Sequence, residues 1–435
     1  MLIETSVRTR VLQNMTAAKY ADASTRYALA MTNSRIRTTH VGSLPRTDRL
    51  LEANRANHAG EIDFDTFTGI LHEEVVDVVR RQREIGIDIV NDGEYGHLMT
   101  QRVDYGGWWN YSFTRLGGLT PGSADRWKNA ADEEVITSEP GRVRLASFAH
   151  RRDRAKFLDA YQDPDQGVLA KRAPSIQPSI TGPLSYIGQQ AVDADVQGLR
   201  AAIDATGGGQ GFVAALSPGS AARVPNEFYA SDEEVVWAAA EALKEEYRAI
   251  VDAGFIVQID DPSIAESWDQ VVPEPSVEDY QAFIQVRIDA LNHALEGLPE
   301  DQVRFHLCWG SWHGPHTTDI EFRHLIEQML TITAGSYSFE AANARHEHEW
   351  SIWREHELPE GKFIVPGLVS HATNVVEHPE LVAERIEKFA SVVGPDRVIA
   401  STDCGLGGRI HPDIAWAKLE ALTEGARIAS ERLYG

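Results

Sequence analysis

At 435 residues, with 43% hydrophobic and 24% charged, the chain has the make-up of a soluble globular protein with room for one large barrel-type domain or two to three smaller ones. Its 41 Lys and Arg stand against 65 Asp and Glu, a formal net charge of −24, which argues against nucleic acid and anionic membrane as partners because phosphate binding needs a basic face. No stretch approaches the ~18 consecutive apolar residues of a membrane span, the N-terminus lacks the apolar core of a secretion signal, and two cysteines cannot build a disulfide framework, so a reducing cytoplasm fits best.

Residues 1–34 precede the first strand signal and read as an N-terminal extension, either a packing arm or an upstream start codon read in error, since the sequence restarts at Met31. From there, short β-rich runs ending in Gly, Pro, Asp or Asn alternate with helical patterns. Strands are predicted at 38–45, 87–94, 175–183, 255–262, 303–310, 337–343, 362–369 and 398–405. Helices are predicted at 62–85, 232–253, 276–297, 319–332, 379–393 and 412–432. The clearest, "SDEEVVWAAAEALKEEYRAIVDAG", has a serine cap, early acids and a closing glycine. Strands alternating with helices imply parallel βαβ units, and eight of them predict one (β/α)8 TIM-type barrel over 35–435. A doubly wound sheet in two domains is the alternative, and no linker supports it. Residues 104–170 form a long insertion after the second strand, opening on "DYGGWWNYSFTRLGG". Long loops in such domains often act as lids. Trp108, Trp109, Tyr111 and Phe113 therefore either wall a substrate pocket or bury the interface of a homo-oligomer.

In such a barrel, chemistry sits at the C-terminal ends of the strands. His306 and Cys308 lie two apart in the fifth predicted strand, so they point the same way. Alone, that pair reads as a buried cysteine beside a core histidine. The second cysteine changes the balance: Cys404 ends the eighth strand in "STDCG", and Glu340 ends the sixth in "SFEAAN". One imidazole, two thiols and a carboxylate then converge on one rim, a donor set that favours zinc. His313 and His316, in the loop after Cys308, could support that centre or touch substrate. His346 and His348, among Arg345, Glu347 and Glu349, read better as an ion-pair network.

The motifs "TTHVGSLPR", "DGE", "TGP", "QIDDP", "HLCWG…GPH", "FEAANARHEHEW", "VEHPELVAERI" and "TDCG" together carry a resemblance. From about residue 36 to the C-terminus, the chain resembles the catalytic barrel of the cobalamin-independent methionine synthases. It resembles more closely their single-barrel relatives, the epoxyalkane:coenzyme M transferases. The resemblance implies zinc held by His306, Cys308, Glu340 and Cys404. It implies a backbone site at Val41, Gly42 and Ser43 for the acidic end of the acceptor, carboxylates at Glu94 and Asp260 for an ammonium group, and a pterin-binding acid at Glu266. Two departures stand out: Gln189 falls where the methionine synthases stack folate on a tryptophan, and "GLVSHATN" has Ser370 for an aspartate, with His371 displaced by one position. The second barrel-sized half of those enzymes has no counterpart.

The expected activity follows from the donor set. Zinc would hold a small-molecule thiol as thiolate, which attacks an electrophilic alkyl donor, with His371 as the candidate proton donor. Transfer of the epoxyalkane:coenzyme M kind ranks first, with a non-folate donor. A single-barrel methionine synthase or other thiol S-methyltransferase comes second, and a non-catalytic zinc-stabilised barrel third.

Overall fold

The computed structural model describes residues 35–122, 125, 134–165, 167–169, 172 and 174–435, so the extension expected at 1–34 lies outside the described residues. Ten strands form: β1 (Arg37–Thr38), β2 (Ile89–Val90), β3 (Leu116–Thr120), β4 (Ser179–Tyr186), β5 (Gln210–Leu216), β6 (Ile256–Asp261), β7 (Val303–Leu307), β8 (Ser336–Phe339), β9 (Phe363–Val369) and β10 (Ile399–Thr402). Eight make a parallel sheet in the order β1-β10-β9-β8-β7-β6-β5-β2. The backbone N–H of Asp88 donates to the Thr38 carbonyl at 3.1 Å across the remaining seam, which nearly closes the barrel. No helix among the described residues is long and apolar enough to cross a membrane.

One predicted strand belongs elsewhere. The run predicted at 175–183 becomes β4, which pairs antiparallel with β3 in a separate two-stranded ribbon. Its sequence, "SITGPLSY", carries Gly and Pro mid-strand and is only partly buried, which suits an edge ribbon and not a barrel interior. The third barrel strand is instead β5, "QGFVAAL", buried along almost its whole length and reached through an unpredicted helix, Gln189–Ala205. The helix predicted at 319–332 is reduced to a 3₁₀ turn at Phe322–His324 and a single turn at Ile326–Met329. Its start is held off helical geometry by Asp319, whose carboxylate takes hydrogen bonds from both His316 and His346. The other five helices form close to where the sequence places them, at Phe64–Glu84, Asp232–Asp252, Val277–Ala294, Pro379–Val393 and Pro412–Tyr434.

Side-chain period two stacks the interior in layers. Ile89, Phe212, Ile256, Val365 and Ile399 form an apolar floor. Two residues along, Gln258 and Arg304 make a polar middle layer. Gln258 Nε2 donates to the Val41 carbonyl at 2.6 Å, and Arg304 lies 3.9 Å over the Phe212 ring while donating to Thr39 Oγ1. Two residues further along the same strands come Asp260 and His306. The floor is what keeps this stack in register. Phe212→Ala would open a void among five strands and remove the face under Arg304, and is expected to cost about 3–5 kcal/mol of unfolding free energy in chemical denaturation.

Candidate active site

His306, Cys308 and Cys404 come together at the C-terminal rim: a ring nitrogen and the two sulfurs lie within 4.8 Å of one another, and the sulfurs are 3.9 Å apart. His306 Nδ1 bonds Ser338 Oγ at 3.1 Å, while Nε2 is buried without a partner. Burial and the nearby Arg304 push the His306 pKa down to about 3, so the ring is neutral. A neutral imidazole fixed through one nitrogen, with the other unsatisfied, suits a metal ligand. The Cys308 thiol is pushed well up by the Cys404 thiol, by burial and by Glu340, the crowding a cation would relieve. Gly310, at φ 102°, lets its N–H reach Cys308 Sγ at 3.2 Å; a Cβ there would sit 1.8 Å from the Trp312 ring.

Glu340 stands beside this trio in a second cluster with His371 and Asp403. Its Oε1 accepts from the Trp309 N–H at 2.9 Å and its Oε2 from Asn343 at 2.8 Å. Nitrogen and thiolate sulfur, with an adjacent carboxylate, fit a tetrahedral zinc ion. His371 is fully buried and neither ring nitrogen has a partner. Burial and then the flanking His313 hold its pKa well below the ordinary value.

A cleft of about 430 Å³ opens onto His306, Cys308 and Cys404 and is also lined by Val41, Ser43, Glu94, Trp108 and Asp260. Trp108 thus brings the 104–170 insertion to the rim. The structure does not bring four other proposed contacts to the wall. Trp109 is buried among Phe113 and Phe148. Glu266 is held between Arg151 at 2.6 Å and Arg223 at 2.9 Å. Gly42 lies behind Glu94, where a Cβ would meet Glu94 Oε1 at 2.2 Å, and His371 sits beneath Glu340.

Glu94 is buried and Asp260 is half-buried beside it in the cleft. Glu94 Oε2 has no hydrogen-bond partner, and burial lifts its pKa to about 7 against the pull of Arg46 and Arg409. Asp260 accepts from Gln258 at 2.8 Å, and burial followed by Glu94 raises it well above the carboxylate range. Two adjacent carboxylates withdrawn from water, neither with an ion pair to a lysine or arginine among the described residues, are costly to keep ionised together, so the arrangement suits a bound cation.

Sequence reasoning missed Arg409. It lines the same cleft, donating to the Asp104 carbonyl and to Ser311 Oγ at 2.6 Å, while its buried Nε has no partner. The available signal was a lone cation in "GLGGRIHP", the glycine-rich loop that follows Cys404. The other four histidines near the rim each find partners within the chain. His346 bridges Asp319 at 3.1 Å and Glu349 at 2.8 Å, which raises it to about 10. His316 pairs with Asp319 at 3.0 Å and is raised to about 9. His313 bonds the His371 carbonyl, and His348 contributes its own carbonyl to Ser351.

The fold and this rim define a (β/α)8-barrel protein whose catalytic face gathers two thiols, an imidazole and paired acids. The chain belongs to the family described as cobalamin-independent synthase, catalytic domain, whose profile matches residues 36–107 and 181–427. The methionine synthase of Thermococcus kodakarensis is 26% identical over 401 residues, spanning 91% of this chain and 94% of that protein. The 2-hydroxypropyl-CoM lyase of Xanthobacter autotrophicus is 27% identical over 235 residues, 47% of this chain and 57% of that protein. A B12-independent methionine synthase from Shewanella sp., solved with selenomethionine, superposes with a TM-score of 0.64 at 21% identity, covering 92% of this chain and 99% of that one.

Proposed function

We propose that the chain is a zinc-dependent thiol S-alkyltransferase whose acceptor is an amino-acid thiol of the homocysteine kind. The observation that carries this reading is the pair Glu94 and Asp260, two carboxylates side by side in the cleft that holds Cys308, with the free Nε of Arg409 in the same wall. An ammonium group answers the two acids, and a carboxylate answers the guanidinium. Zinc, held by His306, Cys308 and Cys404 with Glu340 as fourth ligand, would supply acidification of the acceptor thiol. Glu94 and Asp260 fix the ammonium end, while Arg409 and the Val41–Ser43 loop fix the acid end. This orients the sulfur toward the donor. Trp108 walls the donor side and limits water. The leaving group takes up the proton that the thiol gives up on binding; His371, expected from the sequence as its donor, lies outside the cleft wall and is not placed to deliver it directly.

Transfer to coenzyme M, ranked first from the sequence, becomes the second reading, supported by the residues at the positions expected to hold a pterin. Gln189 is exposed and bonds Asp193 at 3.0 Å, offering no flat apolar face, and Glu266 is already neutralised by two arginines. These two positions support a donor other than a folate. Coenzyme M would use Arg409 but leave Glu94 and Asp260 unanswered. A thermal-unfolding panel of homocysteine, coenzyme M and glutathione with zinc decides between them, because a ligand of the native state raises stability. Homocysteine is expected to give the largest rise in Tm; a larger rise with coenzyme M would reverse the order of the two readings.

A further inference from the structure

A second cleft, of about 650 Å³, opens between the helices Phe64–Glu84 and Gln189–Ala205, outside the barrel wall. Its sides are Phe67, Leu71, Val75 and Leu199, and Phe64 stands at its mouth 61% exposed. At its inner end lie Asp92 and Asp195. Asp92 is only 7% exposed; its Oδ1 accepts the Glu94 N–H at 2.9 Å, and no hydrogen bond from the described residues reaches its Oδ2. Asp195 bonds Arg115 at 2.5 Å, but that arginine is shared with the buried Glu246, also at 2.5 Å. Arg46, behind the turn, is spent on Ser43 Oγ and on the carbonyls of Leu44, Glu94 and His97. Among the described residues, Arg115, the one guanidinium lining the cleft, is thus already divided between two carboxylates and leaves Asp92 without an ion pair, with His72 exposed at the rim. Burial and then Asp195 lift the Asp92 pKa to about 7, as for an acid that lacks its cation.

We propose that this outer cleft binds a small organic ammonium with an apolar tail, its cation between Asp92 and Asp195 and its tail against Phe64, Phe67, Leu71 and Leu199. An apolar wall ending in one acid without an ion pair and a second that only shares its arginine selects that chemistry over neutral or anionic ligands. The cleft also reaches the catalytic face. Asp92 and Glu94 flank Gly93 in one tight turn, with Gly93 at φ 72° and Glu94 at φ 57°, so Asp92 looks outward while Glu94 looks into the thiol cleft. Asp195 abuts the same turn: a Cβ on Gly96 would stand 2.7 Å from its Oδ1. A cation that draws on Asp92 pulls on the carboxylate that holds the Glu94 N–H, and such coupling between sites is reciprocal. This coupling, unlike the cleft itself, rests on the homocysteine reading of the thiol site.

The test titrates the full, zinc-loaded chain with 2-phenylethylamine by calorimetry, alongside 2-phenylethanol and 3-phenylpropionate. The amine is expected to bind at least about tenfold more tightly than either control, and to weaken about tenfold in Asp195→Asn and in Ala194→Phe, which fills the cleft from an exposed helix position. Binding should survive in Asp260→Asn. Equal binding of the carboxylate, no amine binding, or loss of amine binding in Asp260→Asn would each overturn the site, the last by placing the amine in the thiol cleft. Saturating amine should change homocysteine affinity by the same factor as homocysteine changes amine affinity; no change overturns the coupling. A chain that binds the amine and not homocysteine keeps the outer site and refutes the acceptor assignment.

Discussion

Cys308→Ser and Cys404→Ser are each expected to drop bound zinc from about one per chain to near none on metal analysis, with activity falling at least about a hundredfold. The two sulfurs and the His306 nitrogen are the three atoms that already share one sphere, so losing either sulfur leaves two donors for a metal that takes four. Circular dichroism should remain native, because the strands that carry these residues are held by ladders the substitutions do not touch. Glu340→Gln is expected to act more mildly, weakening zinc about 10- to 100-fold. Its carboxylate is braced by Trp309 and Asn343 and stands to one side of the sulfurs. Full zinc retention in both cysteine variants would refute the metal assignment.

Glu94→Gln should raise the KM for homocysteine about 10- to 100-fold, the value of a charge-assisted hydrogen bond, and leave coenzyme M handling nearly unchanged. Arg409→Met, by contrast, should weaken both thiols, because both carry an acid group. The pH dependence follows from the raised Glu94 pKa of about 7. Below it, the empty cleft holds Glu94 protonated, and an arriving ammonium must expel that proton; above it, the carboxylate is ready. Homocysteine affinity relative to coenzyme M should therefore fall as pH drops below about 7, by at most about tenfold per unit, and flatten above. The ratio cancels ionisation of the thiol itself. In Glu94→Gln the slope should vanish; a persistent slope would move the titration elsewhere.

The rim was legible because its residues end strands that are easy to find. "FIVQIDDP" and "VRFHLCWG" are long, apolar and fenced by turn residues, and period two then places Asp260, His306 and Cys308 on the inward face. β5 was hidden for the opposite reason: its small residues give a weak signal after "TGGGQ", while the ribbon strand β4 looks stronger in isolation than its edge position warrants. Arg409 was hidden because it sits on a loop with no periodicity, and its meaning depends on a neighbour more than three hundred residues earlier, Asp104, whose carbonyl it holds. The cleft at Asp92 was invisible for a related reason. The sequence shows "DGE" as one acidic motif, and only the left-handed turn at Gly93 sends its two acids to opposite sides of a wall.

β1 is two residues long and lies between β10 and the β2 seam, with the Ile36 N–H held by Ser430 at 2.9 Å, 394 residues away, and the Leu406 N–H held by the Ser43 carbonyl at 2.9 Å. The loop after β1 that carries Ser43 and the loop after β10 that carries Cys404, more than three hundred residues apart in sequence, are therefore pressed into one place. During synthesis the early strands must wait, since their partner emerges last. Until it arrives, β1 and β9 each present an unpaired edge, the kind of surface that recruits other strands. Non-local pairing of this sort folds slowly, because the entropy of closing the loop is lost before any contact repays it. A chain that stops before its final strand lacks both a barrel wall and Cys404, so its strand edges stay open until the two sulfurs can meet.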